Sequence, residues 1–278
     1  MTNYTINVRG RLISFEKPLV MGILNVTPDS FYAGSRKQTE REIADRANQI
    51  VADGGAMIDV GAFSTRPGAV EVSETEESER LREALRIVRR EQPDAVISVD
   101  TYRPCVARRC VEEWGADIIN DVSEGGLTGI VNTPIHEDGN MFETVARLQV
   151  PYILMSVKPT LETMMISFAD EVQRLHDLGV KDIILDPGFG FGKTLEQNYR
   201  LLRQIDRLQI FGLPVLVGIS RKSMIYKLLG GDPATSLNGT SVLNAISLMK
   251  GAGILRVHDV KEAVESVNLY YKMSTADM

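Results

Sequence analysis

Eight short apolar runs in this sequence each end in side chains that can bind or react. In chain order the run-ends are Asn25 to Phe31, Gly61 to Gly68, Asp100-Thr101, Asn120-Asp121, Met155-Ser156, Asp186 to Thr194, Ser220-Arg221-Lys222-Ser223 and Arg256-Val257-His258-Asp259. Asp and Asn can read the donors and acceptors of a flat heterocycle, pairing with ring N–H and amino groups. Lys222 can bond a ring carbonyl. Arg66, Arg256 and His258 suit a multiply charged anion, since Arg offers forked contacts to phosphate. Backbone N–H groups of loops and helix N-termini would add to such a site. The pattern favours a polar heterocycle near Asp100, Asn120, Asp186 and Lys222, with an anion near Arg256. A lone Asp at a strand end is as readily a helix N-cap, and for Asp121 and Asp259 that plain reading stays open. Eight polar ends are more than capping alone explains.

Other chemistries find less support. Asp186 to Thr194 is like a phosphate-cradling P-loop, but that motif needs a Gly five residues before the Gly-Lys pair, and Pro187 stands there. Its glycines suit tight turns or close backbone approach to a ligand. The three histidines have no metal-ligand spacing: His136 falls in a polar stretch, His176 in a helical pattern, and only His258 at a strand end. No H-E-x-x-H or Ser–His–Asp arrangement emerges. Met155, Met164 and Met165 read most simply as packing residues.

The elements that must position these groups alternate in type. The apolar runs are Leu19 to Leu24, Met57 to Val60, Ala95 to Val99, Ile118-Ile119, Tyr152 to Met155, Ile183 to Leu185, Val215-Leu216-Val217-Gly218-Ile219 and Ile254 to Val257. Short runs apolar on both faces, separated by helical patterns, mark a parallel sheet. Helical spacing predicts helices over Glu40 to Asp53, Thr75 to Arg90, Leu161 to Leu178, Leu195 to Leu208, Ser241 to Lys250 and Val260 to Tyr271. Gly54, Gly115, Gly179, Gly212 and Gly251 fall where helices should close. Eight such units in one run predict a single α/β domain, a (β/α)8 TIM barrel over 18–278, with a doubly wound sheet as the alternative. Tyr4 to Phe15 reads as an N-terminal hairpin, within 1–17, capping the barrel bottom. Ser123 to Asn140 reads as a long loop. In such barrels the chemistry sits at the C-terminal ends of the strands, where the eight polar ends fall.

Composition narrows the classes further. The chain has 278 residues, 44% of them hydrophobic and 24% charged, and a net charge of −6. That balance disfavours nucleic acid and anionic membranes as partners. Two cysteines, Cys105 and Cys110, suggest neither a disulfide framework nor a zinc site, so a reducing, cytoplasmic setting is expected. No signal-peptide pattern opens the chain, and no apolar run is long enough to span a bilayer.

Together these segments resemble the dihydropteroate synthases. Met21-Gly22-Ile23-Leu24-Asn25-Val26-Thr27-Pro28-Asp29-Ser30-Phe31 is similar to that family's first signature, and Ser64-Thr65-Arg66-Pro67-Gly68 to its second. The remaining strand ends continue the match in order, from about Pro18 to Val260. The resemblance implies a transferase that joins 6-hydroxymethyl-7,8-dihydropterin diphosphate to p-aminobenzoate, giving 7,8-dihydropteroate and diphosphate in folate synthesis. It implies pterin binding at Asp100, Asn120, Asp186, Lys222, Met155 and Gly218. It implies diphosphate binding at Asn25, Arg66, Arg256 and His258, with Mg2+ bridging Asn25 and the diphosphate. The p-aminobenzoate pocket would use Thr65, Arg66, Pro67, Phe191, Lys222 and Ser223, and sulfonamides would compete there. Asp100, Lys222, Arg256 and Asn25 would carry catalysis, and the protein would be a homodimer paired through late helices such as that of Val242, Leu243 and Ile246 and that of Val264 to Tyr271.

Three positions depart from the family pattern: Ala62-Phe63 where Gly-Glu is usual, Ser156 where a His often follows Met155, and Tyr32-Ala33 before Gly34. None removes a residue assigned to pterin or diphosphate. The rival readings are a pterin-binding methyltransferase, which has no use for a diphosphate site, and a catalytically silent pterin-binding paralogue, which would be expected to lose Asp100, Arg256 or the loop signatures.

Overall fold

A computed structural model describes residues 4–26, 36–63, 72–126 and 140–276. Strands β1 (Thr5–Val8) and β2 (Arg11–Ser14) pair antiparallel. Arg9 and Gly10 between them both have positive φ, 51° and 79°, the two-residue turn whose twist suits a hairpin. Eight parallel strands follow: β3 (Leu19–Asn25), β4 (Met57–Gly61), β5 (Val96–Asp100), β6 (Ile118–Asp121), β7 (Tyr152–Met155), β8 (Ile183–Asp186), β9 (Leu216–Val217) and β10 (Ile254–Val257). They hydrogen-bond in the order β8-β7-β6-β5-β4-β3-β10-β9, and a single bridge between Leu185 and Val215 joins the two ends. The sheet is thus a barrel, not a doubly wound layer.

Among the described residues the helices are α1 (Arg36–Ala52), α2 (Glu74–Glu91), α3 (Pro104–Glu112), α4 (Met141–Leu148), α5 (Leu161–Asp177), α6 (Leu195–Gln204), α7 (Ser223–Leu229), α8 (Leu237–Met249) and α9 (Val260–Ser274). Three of these, α3, α4 and α7, are too short to show a helical period in the sequence. Helix α3 starts on Pro104, whose fixed φ suits a first turn, and α4 on Asn140, whose side chain caps the Glu143 N–H. The helix expected to run to Leu208 stops at Gln204 and continues as a 3-10 turn over Ile205–Phe211. The strand expected over 215–219 keeps only two ladder residues. The stretch read as a loop from Ser123 begins as a 3-10 turn over Glu124–Gly126, and 127–139 lie outside the described residues. Gly54, Gly115, Gly179, Gly212 and Gly251 all take positive φ after helices, as their positions predict.

Alternation along each strand divides the core. Ile58, Val60, Ile97, Val99, Ile119, Leu154, Leu185, Leu255 and Val257 face outward and pack on the helices. Met21, Met57, Val96, Ile118, Ile153, Ile184, Leu216 and Ile254, one from each strand, form a layer inside the barrel that Ile6, Val8 and Phe15 of the hairpin cover. The hairpin therefore caps the barrel bottom. Leu12, on its other face, points to solvent. Arg9 and Arg89 converge on the buried Asp117 carboxylate at 2.6 and 3.0 Å, tying the hairpin turn to the barrel.

Candidate active site

The strand period that makes the apolar floor also makes the site above it. Two residues beyond Met57, Ile118, Ile184 and Ile254, on the same side of each strand, stand Asp59, Asn120, Asp186 and Arg256. One period further on β5, Ser98 gives way to Asp100.

Arg256 is the hub. Its Nε donates to Asp59 Oδ2 at 2.6 Å and its Nη2 to Asp100 Oδ2 at 2.8 Å. Asp59 also accepts from Asn120 Nδ2 at 3.2 Å. Among the described residues this leaves Asp100 Oδ1, Asn120 Oδ1 and Ser98 Oγ buried without a hydrogen-bond partner. Unmet acceptors in a buried lumen are costly unless a ligand brings donors. Burial pushes the Asp100 carboxyl up to about 7; Arg256 opposes the rise and Asp59 adds to it. For Arg256, burial disfavours the charge, but Asp59 and Asp100 outweigh it and raise its pKa.

Lys222 approaches from the other side, just beyond the short β9. Its Nζ donates to the Phe189 carbonyl and lies 4.5 Å from the centre of the Phe191 ring. Burial lowers its pKa to about 8, with the Asp186 carboxylate opposing. Asp186, almost wholly buried, accepts from the Gly188 N–H at 2.7 Å. Gly188 must be glycine: its φ is +64°, and a Cβ there would lie 2.2 Å from the Ser156 carbonyl oxygen.

His258 is positioned by its backbone and its ring. Arg46 donates to the His258 carbonyl at 2.7 Å, and Ser220 Oγ lies 3.0 Å from Nδ1. Burial and then Arg256 lower its pKa to about 4, so the imidazole is neutral at pH 7. In this state it can offer an anion a hydrogen bond, while an anion bound beside it would favour the protonated ring.

The structure thus brings Asp100, Asn120, Asp186, Lys222, Arg256 and His258 to one mouth. Asn25 ends β3 across Gly61 from Asp100; a Cβ at Gly61 would sit 3.4 Å from Asp100 Cβ and 3.7 Å from Asn25 Oδ1. Gly218 presents its bare backbone to the Arg256 stem, 3.8 Å from where a Cβ would be. Met155 and Phe191 join an apolar cluster with Tyr102, Val122, Phe63 and Val157. Phe63 packs edge-on to Tyr102 with ring centres 5.0 Å apart. Ser223 opens α7, and the hydrogen bonds described at this mouth do not involve its side chain. Thr65, Arg66, Pro67, the residues from Thr27 to Gly34, and His136 lie outside the described residues.

Two plain readings are corrected. Among the described residues Asp121 caps no α-helix: it accepts from Ser123 N and Oγ, Gly125 N and Tyr152 OH, shaping the turn after β6. Asp259 precedes α9 but makes no capping bond; it grips Arg221 with both oxygens at 2.8 Å, and Arg221 also reaches the Pro233 and Ala234 carbonyls. Sequence reasoning passed over Asp59 and Ser98, hidden inside runs read only as apolar. A carboxylate in the middle of a buried strand is itself the signal that could have found Asp59.

A parallel barrel with carboxylates, an amide and cations converging at its C-terminal mouth is a small-molecule enzyme scaffold of the kind that holds polar heterocycles. Residues 21–258 match the family model described as pterin binding enzyme. The chain is 40% identical over 262 residues, 91% of its length and 94% of the relative's, to the dihydropteroate synthase of Streptococcus pyogenes serotype M3. A crystal structure of Yersinia pestis dihydropteroate synthase with a sulfonamide drug complex superposes with a TM-score of 0.84 at 34% identity, covering 99% of this chain and 100% of that one. The Xanthomonas albilineans dihydropteroate synthase with 4-aminobenzoic acid gives 0.85 at 31% identity over 98% of both chains. The chain belongs to the pterin-binding enzyme family. Within it, its activity is that of a dihydropteroate synthase, a transferase of the folate pathway.

Proposed function

We propose that the pterin of 6-hydroxymethyl-7,8-dihydropterin diphosphate lies in the lumen against Asp100, Asn120, Asp186 and Lys222, flanked by Met155 and Gly218. The observation that carries this reading is the set of buried, unpartnered acceptors on Asp100 and Asn120 beside Arg256. A pterin edge has ring N–H and amino donors for such acceptors. The diphosphate then lies toward Asn25, Arg256, His258 and Arg66, and p-aminobenzoate near Phe191, Lys222 and Ser223 with Thr65, Arg66 and Pro67.

The reaction asks for leaving-group stabilisation more than for a base. The methylene C–O bond breaks with its electron pair going to diphosphate, the neutral arylamine nitrogen attacks the methylene carbon, and the amine then sheds a proton. Arg256 and His258 offer charge and a hydrogen bond to the departing anion, and the Asp100 carboxylate faces the cation-like methylene. Mg2+, when bound, neutralises diphosphate charge. Among the described residues no group of three or more His, Cys, Asp or Glu gathers as a metal site. A single Asn25 amide oxygen suits an ion that keeps several waters and takes the rest of its ligands from substrate phosphates.

We further propose a homodimer through α8 and α9. These helices pack together and leave Val242, Ile246, Met249, Leu269 and Met273 exposed, whereas Leu243 packs inward. A cytoplasmic location accords with the two free thiols of Cys105 and Cys110; no helix among the described residues is long and apolar enough to cross a membrane. The reading of the site is tested by diphosphate release with and without Mg2+ and p-aminobenzoate, and by sulfonamide titration. Release that needs both, with a sulfonamide raising the KM for p-aminobenzoate alone, is the expected result. Inhibition that competes with the pterin instead overturns the assignment of the two subsites.

A further inference from the structure

Among the described residues Lys193 has no carboxylate partner within ion-pair distance, yet it is half-buried. Its Nζ donates to three carbonyl oxygens: Ser156 at 3.2 Å, Gly188 at 3.0 Å and Phe191 at 3.3 Å. An ammonium has three donors, so all are used on main-chain acceptors. Two of those acceptors, Gly188 and Phe191, bracket the turn after β8 and the third, Ser156, directly follows β7.

Each acceptor is itself fixed. The Ser156 N–H donates to the Asp186 carbonyl at 2.8 Å, and its Oγ donates to the buried Glu124 carboxylate at 2.6 Å. The Gly188 backbone rests against the Ser156 carbonyl, where a Cβ has no room. The far side of the turn is held by Asn198, which accepts from Gly190 N at 2.7 Å and donates to the Thr194 carbonyl at 2.7 Å. Between these anchors the turn carries the Phe189 carbonyl that receives Lys222 and the Phe191 ring that faces Lys222. A lysine that served only solubility would extend into solvent, because burial lowers its pKa, here to about 8.

We propose that Lys193 is a positioning residue for the arylamine half of the site: by drawing the Ser156, Gly188 and Phe191 carbonyls onto one ammonium, it fixes the Phe191 ring opposite Lys222. The inference rests on the reading of Phe191 as a p-aminobenzoate contact. Ser156 and Glu124 are the outer support of the same device. The Ser156 hydroxyl turns away from the mouth to Glu124, which leaves its carbonyl aimed at Lys193.

The test is steady-state kinetics on the full chain carrying Lys193→Met, Lys193→Gln, Phe191→Ala and the Lys193→Met/Phe191→Ala pair, with wild type measured first. Lys193→Met should raise the KM for p-aminobenzoate about tenfold, ~1.4 kcal/mol, while the KM for the pterin diphosphate stays within about twofold. Lys193→Gln, which keeps two N–H donors, should give a smaller rise in the same KM and covers the case in which the methionine variant does not fold. In the Phe191→Ala background Lys193→Met should add less than about twofold, because the residue through which it acts is gone. A wild-type KM for p-aminobenzoate in both Lys193 variants, an equal rise in both KM values, or a full additive effect in the Phe191→Ala background overturns the role of Lys193. Absence of wild-type turnover overturns the reading of the site, and this inference with it.

Discussion

Arg256 Nε donates to Asp59 Oδ2 at 2.6 Å, an ion pair that reaches inside the barrel from β10 past β3 to β4. Asp59 is completely buried and is the inner support for the guanidinium whose other edge holds Asp100. Asp59→Asn keeps the shape but removes the charge that aims Arg256. Hydrogen bonds to charged groups contribute about 1.5–3 kcal/mol, so kcat/KM for the pterin diphosphate should fall by roughly ten- to a hundredfold. The measurement is steady-state kinetics at saturating p-aminobenzoate; an unchanged kcat/KM would mean that Arg256 needs no inner partner.

The pH dependence of pterin binding follows from two shifted groups. The Asp100 carboxyl, raised to about 7, takes up a proton as pH falls through that value and loses the charge that the pterin site uses. The Lys222 ammonium, lowered to about 8, loses its proton as pH rises through that value. Binding to the free enzyme should therefore be tightest between the two and weaken on both sides. Calorimetric titration of wild type and Asp100→Asn across the neutral range checks it: the variant should bind more weakly and lack the acid limb. Lys193, also lowered to about 8, sits in the same alkaline range, so Lys222→Gln is the variant that assigns that limb.

How much of this was open to sequence reading depends on where each residue sits. Strand-end groups such as Asp100, Asn120, Asp186 and Lys222 stand at or beyond the ends of apolar runs, and a barrel must bring those ends to one rim; Arg256 lies one residue inside its run but is followed at once by His258 and Asp259. Asp59 stands within a run, so a window that scores apolarity averages it away; only the period of two shows it facing the lumen. The short helices α3, α4 and α7 span too few turns for a 3.6-residue period to register. Lys193 could be read only as a failed P-loop lysine, because its three partners are main-chain oxygens that no side-chain pattern encodes.

The Glu77–Arg103 pair makes a stability prediction. Glu77 is wholly buried and receives Arg103 together with the Thr101 hydroxyl, while Arg103 Nη2 donates to the Val72 carbonyl at 2.7 Å. Arg103→Leu strands the Glu77 carboxylate and should cost roughly 3–5 kcal/mol. Adding Glu77→Leu removes the stranded charge and should restore a large part of that loss. Denaturant midpoints of the single and double variants decide it; a double variant no more stable than Arg103→Leu would show that the pair is held by something other than mutual charge.

Gly188 gives a backbone prediction. Alanine there adds a left-handed penalty and drives its Cβ into the Ser156 carbonyl, together roughly 2–4 kcal/mol. Thermal unfolding of Gly188→Ala should show a clear loss of stability, and weakened pterin affinity should accompany it as Asp186 loses its Gly188 N–H. A variant as stable as wild type with unaltered affinity would show that the turn can move away from β7 at no cost.

The most direct measurement is diphosphate release by the purified protein given dihydropterin diphosphate, Mg2+ and p-aminobenzoate, run beside Asp100→Asn. Release by wild type that requires both substrates, and that collapses in the variant while the variant stays folded, is the predicted result. Equal release by Asp100→Asn would contradict the claim that the Asp100–Arg256 pair at the barrel mouth is where the pterin reacts.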